Sequence, residues 1–375
     1  MTAHVSVDYG AIEDNMRVLC AHAPTAEVMA VVKADAYGHG LVEAARAARA
    51  GGAAWLGTAQ PSEALSLRAH GDTGRILTWL YGPDGPFDAL VAADVDLSVG
   101  SLPVLEAILD AVRRARAGAH HEHAPRLHVF VDTGLGREGC PPALLPELLD
   151  RLIAARDEGL VRVVGMWSHL AWADQPGHPT IDLQADAFRE ALALADTKGI
   201  DLEVRHLANS ACTLTRPDLH FDLVRPGIAM YGLPPVADPD GRRFGLRPAM
   251  RVATHLALVK PVPAGHGVSY GHEYVTERDT MLGLVPLGYA DGVFRAAGGG
   301  RGRVAIGGRE FPIAGRVCMD QFVVDLGPDA TAQAGDEVTL IGADGPSATD
   351  WAEAIGTIDY EIVCRFGGLR EKEAL

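Results

Sequence analysis

No run of apolar residues in this 375-residue chain reaches the length of a membrane span. The opening residues, Met1-Thr2-Ala3-His4-Val5-Ser6-Val7-Asp8, hold neither a basic cluster nor an apolar core of the kind that directs export, so a cytoplasmic protein is expected. Cysteine is sparse. Cys20, Cys140, Cys212, Cys318 and Cys364 are odd in number, scattered and without a Cys-x-x-Cys pair, which indicates neither a disulfide framework nor a zinc site. Positive charge is in deficit, and a formal net charge of -16 argues against nucleic acid or an anionic membrane as a partner. Internal repeats and low-complexity tracts are also lacking.

What is present is ordinary globular material, 48% hydrophobic and 22% charged, in a chain long enough for two domains or a barrel with an appendage. Short apolar runs at 28–32, 54–57, 76–79, 95–99, 127–132, 162–167, 202–207 and 223–225 read as strands. Alanine- and leucine-rich helical patterns fall between most of them, at 41–50, 61–70, 86–93, 102–117, 143–157 and 181–198. This alternation predicts an α/β fold with an N-terminal (β/α)8 barrel over 8–240, with an open doubly wound sheet as the alternative. Glycine, proline and β-branched residues then rise, and the runs Met281 to Pro286, Arg303 to Ile306, Gln321 to Asp325 and Glu337 to Ile341 predict a C-terminal mostly-β domain over 241–375, joined by 1–7. The boundary is expected in Pro234 to Gly241.

Lys33 closes the apolar run Val28-Met29-Ala30-Val31-Val32 and opens Lys33-Ala34-Asp35-Ala36-Tyr37-Gly38-His39-Gly40. An amine at the end of a buried strand is partly desolvated, which lowers its pKa and lets it attack a carbonyl, as Schiff-base lysines do. Taken alone it is equally a lysine reaching solvent from a strand end. Barrel active sites gather where strands end, and there the expected strands deliver Asp132 to Arg137, Ser168-His169, His206 to Ser210 and Arg225-Pro226-Gly227-Ile228. Each singly fits a hydrogen-bonded core residue; their convergence on one face favours a site. Ser210 and Gly227 lie where such barrels commonly bind phosphate. A Schiff-base lysine, a phosphate cradle and an arginine at the eighth strand together suit pyridoxal phosphate. An arginine beside the pyridine nitrogen discourages its protonation, which suits brief carbanion formation and rapid reprotonation. His120-His121-Glu122-His123 reads as a solvated loop rather than a metal site, and Gly298 to Gly302 as a turn without dinucleotide context.

The stretch Ala30 to Gly40 resembles the pyridoxal-phosphate attachment motif of bacterial alanine racemases. Asp132-Thr133-Gly134, Ala208-Asn209-Ser210-Ala211, Val224 to Ile228, Val268-Ser269-Tyr270-Gly271, Leu287 to Gly292, Arg316 to Gln321 and Tyr360-Glu361-Ile362 resemble further signatures of that family, in order along almost the whole chain. The resemblance implies a homodimer whose active sites take residues from both subunits, and interconversion of L- and D-alanine that supplies D-alanine, a cell-wall precursor. Carried over, Lys33 would hold the cofactor and act as one base, and Tyr270 in the partner's β domain would act as the other. Bases on opposite faces are what inverting a stereocentre requires. His169 and Arg225 would help the phenol, whose ordinary pKa of about 10 makes it a poor base. Arg225, held by His206, would contact the pyridine nitrogen. Tyr37, Ser210, Gly227, Ile228 and Tyr360 would bind the phosphate, with Asn209 beside them in the cofactor site. Arg137 would contact the cofactor phenolic oxygen and the substrate carboxylate, completed by the backbone N–H of Met319. Tyr289, Tyr360, Arg295, Arg316, Ile358 and Asp174 resemble residues that narrow the entrance to a small substrate.

One departure matters. Many members carry a carbamylated lysine two residues before the Asp-Thr-Gly segment, bracing the neighbouring arginine, whereas this chain has Phe130. Arg137 is therefore expected to be braced by chloride or a nearby carboxylate, or to be held less rigidly. Competing readings are a racemase of serine or another small amino acid, a barrel-type pyridoxal-phosphate decarboxylase, which lacks support in a missing Cys-Glu-x-x-Asp-like segment, and a non-enzymatic cofactor carrier.

Overall fold

The computed structural model describes residues 4–117, 124–237, 244–368 and 372–374. After a short strand β1 (His4–Val7) come eight parallel strands: β2 (Glu27–Val31), β3 (Trp55–Thr58), β4 (Arg75–Thr78), β5 (Asp96–Val99), β6 (Arg126–Phe130), β7 (Arg162–Trp167), β8 (Val204–His206) and β9 (Leu223–Val224). They form one sheet in the order β8-β7-β6-β5-β4-β3-β2-β9. Its two ends meet through Asp222 N donating to Arg205 O at 3.1 Å and Arg225 N donating to Ala208 O at 2.9 Å, so the sheet is a nearly closed barrel. The strands are short and buried on both faces, as parallel strands covered by helices must be; every residue of β3 and β5 is buried.

The covering helices follow from their apolar spacing. Leu102–Ala117 turns Leu105, Ile108, Leu109 and Val112 inward, a helical period of 3.6. Leu41–Ala50 buries Ala44, Ala45, Ala47 and Ala48, small residues that permit close packing. Predicted and observed barrel elements differ by one to two residues at most ends, with the strand after 202 beginning only at Val204.

By internal contacts the chain divides into two units. One comprises Ile12–Ala36 and Leu41–Arg247 and holds the barrel strands; the other comprises Met1–Ala11, Tyr37–Gly40 and Pro248–Leu375. The second unit is built on a nine-stranded sheet. Beside β1 it contains β10 (Met250–His255), β11 (Leu258–Val262), β14 (Thr280–Val285), β15 (Arg303–Ile306), β16 (Arg309–Ala314), β17 (Phe322–Gly327), β18 (Glu337–Ile341) and β19 (Lys372–Ala374), while β12 (Gly267–Val268) and β13 (Tyr274–Val275) form a separate hairpin. β1 pairs antiparallel with β10, Val5 opposite Val252. Two helices, Ala348–Ile355 and Asp359–Phe366, add to this unit beyond the strand-rich texture of its sequence, and Trp351 and Phe366 pack edge to face between them at 5.6 Å. The His120 to His123 stretch lies outside the described residues, as does the end of the expected boundary from 238 onward. No helix among the described residues is long and apolar enough to cross a membrane.

Candidate active site

Lys33 follows β2 after one residue, Val32, and the chain after it takes an unusual path. Ala34, Asp35, Ala36 and Tyr37 all have φ between +53° and +55°, four successive non-glycine residues in the left-handed region. Each costs on the order of 1–2 kcal/mol relative to ordinary backbone, so neighbours must impose the turn. Within the barrel unit, Ala34 N donates to Glu63 Oε1 at 2.6 Å and Leu41 N to Asp35 Oδ1 at 2.7 Å. Val31 N donates to Pro226 O at 2.9 Å, tying the strand that leads to Lys33 to the chain that leaves β9.

Arg225 is 5% exposed. Its Nη1 lies 3.3 Å from His206 Nδ1, and its Nη2 donates to Ser168 O at 2.7 Å and Leu207 O at 3.3 Å and lies 3.4 Å from His169 Nδ1. The guanidinium also sits over the Trp167 ring, 4.9 Å from its centroid. Burial brings the Arg225 pKa down to about 9, which leaves it cationic at neutral pH. The histidines around it are held neutral. Burial, reinforced by the charges of Arg225, Arg137 and Lys33, lowers the His169 pKa to about 3. Burial and Arg225 also take His206 well below its ordinary value. Facing a donor-only guanidinium, both rings accept through Nδ1.

Ser210 opens the helix Ser210–Thr215 after β8, and its Oγ accepts from Gly227 N at 2.8 Å and Ala229 N at 3.3 Å. Its own hydroxyl lies beside the start of the turn Ile228–Tyr231, where Gly227 N–H and Ala229 N–H are taken by Ser210 Oγ and Ile228 N–H has no intrahelical acceptor. That cluster of donors suits an anion. Asn209 caps the helix, its Oδ1 accepting from Cys212 N at 3.2 Å. Arg137 projects from a loop closed by Cys140 N donating to Phe130 O at 2.7 Å and ordered by Asp132 Oδ1, which accepts from Gly134 N and Gly136 N. Its partner is the adjacent carboxylate, Arg137 Nε to Glu138 Oε1 at 3.1 Å.

The remaining expected residues belong to the other unit. Tyr37 and Tyr360 pack together, ring centroids 6.0 Å apart, and burial with the Tyr360 and Cys364 neighbours pushes the Tyr37 pKa far up, keeping its hydroxyl a donor. Tyr270 is 71% exposed at the tip of a strained turn, with φ of +62° at Ser269 and +46° at His272 on either side. Ser269 Oγ pins this turn by donating to Arg316 O at 2.7 Å. Met319 is exposed close by in sequence to that anchor. A Cβ on Gly288 would stand 2.1 Å from Met319 O, so only glycine fits there, and Ala290 N donates to the same carbonyl at 2.9 Å.

Three buried polar residues of the barrel unit, two on strands and one on a covering helix, escaped sequence reasoning. Asp96, His128 and Gln184 are buried; Gln184 donates to Thr133 Oγ1 and His169 O and accepts from Ala171 N, securing the loops that carry Thr133 and His169. The available signal was a charged or polar side chain inside an apolar run, as in Leu127-His128-Val129.

A lysine after β2, a cluster of donors after β8 and β9, and a buried arginine flanked by neutral histidines occur in a barrel whose chain has close relatives. The family model for the alanine racemase N-terminal domain matches residues 7–235, and that for the alanine racemase C-terminal domain matches 249–373. Alanine racemase of Salinispora tropica is 53% identical over 371 residues, covering 98% of this chain and 96% of that protein. That of Streptomyces coelicolor is 52% identical over 378 residues, covering 98% and 94%. The crystal structure of alanine racemase from D-cycloserine-producing Streptomyces lavendulae superposes with a TM-score of 0.95 at 52% identity, covering 100% of this chain and 97% of that one. With both halves matched and the fold shared along its whole length, the chain belongs to the alanine racemase family of isomerases.

Proposed function

We propose that the protein interconverts L- and D-alanine with pyridoxal phosphate as cofactor, as a homodimer in which Lys33 of one subunit and Tyr270 of the partner subunit exchange the α-proton from opposite faces. When bound, the cofactor supplies an electron sink that acidifies the α-proton of the amino acid. The donor set fits it: a primary amine at Lys33, the Ser210, Gly227 and Ile228 cradle for a phosphate, and a cationic arginine. The observation that carries the reading is the buried Arg225. Both of its terminal nitrogens are engaged by protein acceptors, and its Nε–H makes no hydrogen bond among the described residues. A cation that can only donate favours an unprotonated ring nitrogen and so a modest sink, which suits proton removal and prompt return over deeper chemistry.

In this reading Tyr37 and Tyr360 donate their hydroxyls to the phosphate, and Asn209 holds the cradle's helix in place through its cap. Arg137 and the Met319 N–H hold the substrate carboxylate. Lys33 moves a proton at one face of the α-carbon and the Tyr270 phenol at the other. The test is incubation of the purified protein with pyridoxal phosphate and L-alanine, with product resolved by chiral chromatography. D-alanine without carbon dioxide, at a higher kcat/KM than serine gives, is the expected result. Carbon dioxide release, or turnover that prefers serine, would replace this reading.

A further inference from the structure

Four side chains run in series through the barrel interior. His128 Nε2 lies 3.1 Å from Asp96 Oδ2, His128 Nδ1 lies 2.9 Å from His206 Nε2, and His206 Nδ1 lies 3.3 Å from Arg225 Nη1. Asp96, His128 and His206 have no exposed surface. The packing makes room for this series. A Cβ on Gly165 would stand 2.2 Å from His128 Nδ1, so the strand beside the ring must carry glycine. Trp55 meets the His128 ring edge-on at 5.6 Å, and the Trp167 ring lies parallel to that of His206, 1° apart in plane.

The two ends of the series permit one arrangement of protons. A guanidinium only donates, so His206 Nδ1 accepts and the His206 proton sits on Nε2. That proton is donated to His128 Nδ1, which leaves the His128 proton on Nε2, facing Asp96. A carboxylate only accepts, so reasoning from Asp96 gives the same answer. A cationic His128 would aim its Nδ1–H at His206 Nε2 and force a His206 Nδ1–H against the arginine. Asp96 is held ionised: burial opposes the charge, but the hydrogen bond from His128 and the Arg75 partner prevail and bring its pKa down to about 2. Arg126 Nε adds a bond to Asp96 Oδ1 at 2.6 Å.

We propose that Asp96 and His128 are positioning residues, whose one-directional N–H series locks His206 in its Nε2–H tautomer and fixes Arg225 Nη1 upon it, leaving the Nε–H as the donor for the cofactor's ring nitrogen. The role assigned to Nε–H rests on the proposed cofactor site; the tautomers do not. The experiment is nitrogen-15 NMR of the holoenzyme labelled at histidine, with His128→Leu and His128→Gln alongside. Wild type should show His128 and His206 neutral, each protonated at Nε2. Gln offers an amide donor and acceptor at a spacing like that of the two ring nitrogens, so it should keep the His206 tautomer. Leu strips His206 Nε2–H of its buried acceptor, so the ring should leave its contact with Arg225 and lose the single tautomer that contact enforces, and pyridoxal phosphate binding should weaken about tenfold, the scale of one lost buried hydrogen bond next to a ligand-holding group. A merely structural role would lower the melting temperature in both variants without moving the tautomer. Wild-type holoenzyme with His206 protonated at Nδ1, or with either ring cationic, overturns the proposal alone. Failure of wild type to take up the cofactor overturns the cofactor reading and, with it, the role given to Nε–H.

Discussion

Phe130 lies face to face on Trp167, ring centroids 3.8 Å and planes 14° apart. Trp167 in turn lies parallel to His206 and beneath the Arg225 guanidinium. Position 130, where the family resemblance leads one to expect a bracing lysine, is thus part of an aromatic wall in this chain. Phe130→Lys would set an ammonium against the Trp167 ring in place of a buried aromatic. We expect a loss of about 3 kcal/mol or more in urea unfolding, the cost of an uncompensated buried charge, and no improvement in KM for alanine. A gain in substrate affinity would show that Arg137 lacks a brace.

A carboxylate lies next to Arg137. Glu138 pairs with Arg137 at 3.1 Å, and its other oxygen is buried without a hydrogen-bond partner among the described residues. Arg137 is more than half exposed, so the pair contributes at most about 1 kcal/mol. Glu138→Gln should therefore raise KM for alanine up to roughly fivefold while kcat changes little. Unchanged KM in steady-state kinetics would remove Glu138 from the substrate pocket.

Asp359 carries a pH dependence of definite sign. Burial raises its pKa to about 6, against about 3.9 in an unfolded chain. The folded protein binds the extra proton between these values, so this group's stability contribution is fully present below the unfolded value and is lost as pH rises through 6. Asp359→Asn should raise the urea midpoint at pH 7.5 by an amount worth about 1–2 kcal/mol, with the advantage vanishing near pH 4. A stability difference that stayed flat across this range would mean Asp359 titrates normally.

The lysine and the tyrosine should separate spectroscopically. Lys33→Ala is expected to lose the visible absorbance of the lysine-bound cofactor together with nearly all turnover. Tyr270→Ala should keep that absorbance and lose racemisation by a factor of about 10²–10⁴, the usual contribution of a positioned base. Full absorbance in the Lys33 variant would move the attachment point elsewhere.

Much of this was legible along the chain because it is written locally. An apolar run ending in Lys33 marks both a strand and a site, and the runs 162–167, 303–306 and 337–341, bounded by turns or charges, coincide with observed strands. The helix Ala348–Ile355 was also locally written, in a capping box of Ser347 and Asp350 and a closing Gly356, but strand-rich surroundings masked it. The left-handed turn after Lys33 was not legible. Alanine and tyrosine disfavour positive φ, and the bonds that impose it come from Glu63 and Leu41. Nor was the Asp96, His128, His206 series, whose members lie 32 and 78 residues apart and meet only once the barrel curls.

Inversion by two bases on opposite faces is read out by α-proton exchange in D2O followed by NMR, with L- and D-alanine supplied separately to wild type and to Tyr270→Ala. Wild type should exchange both enantiomers with inversion, whereas the variant should retain exchange of one enantiomer alone and form no product of opposite hand. Inversion in both directions after removal of Tyr270 would rule out Tyr270 as the second base.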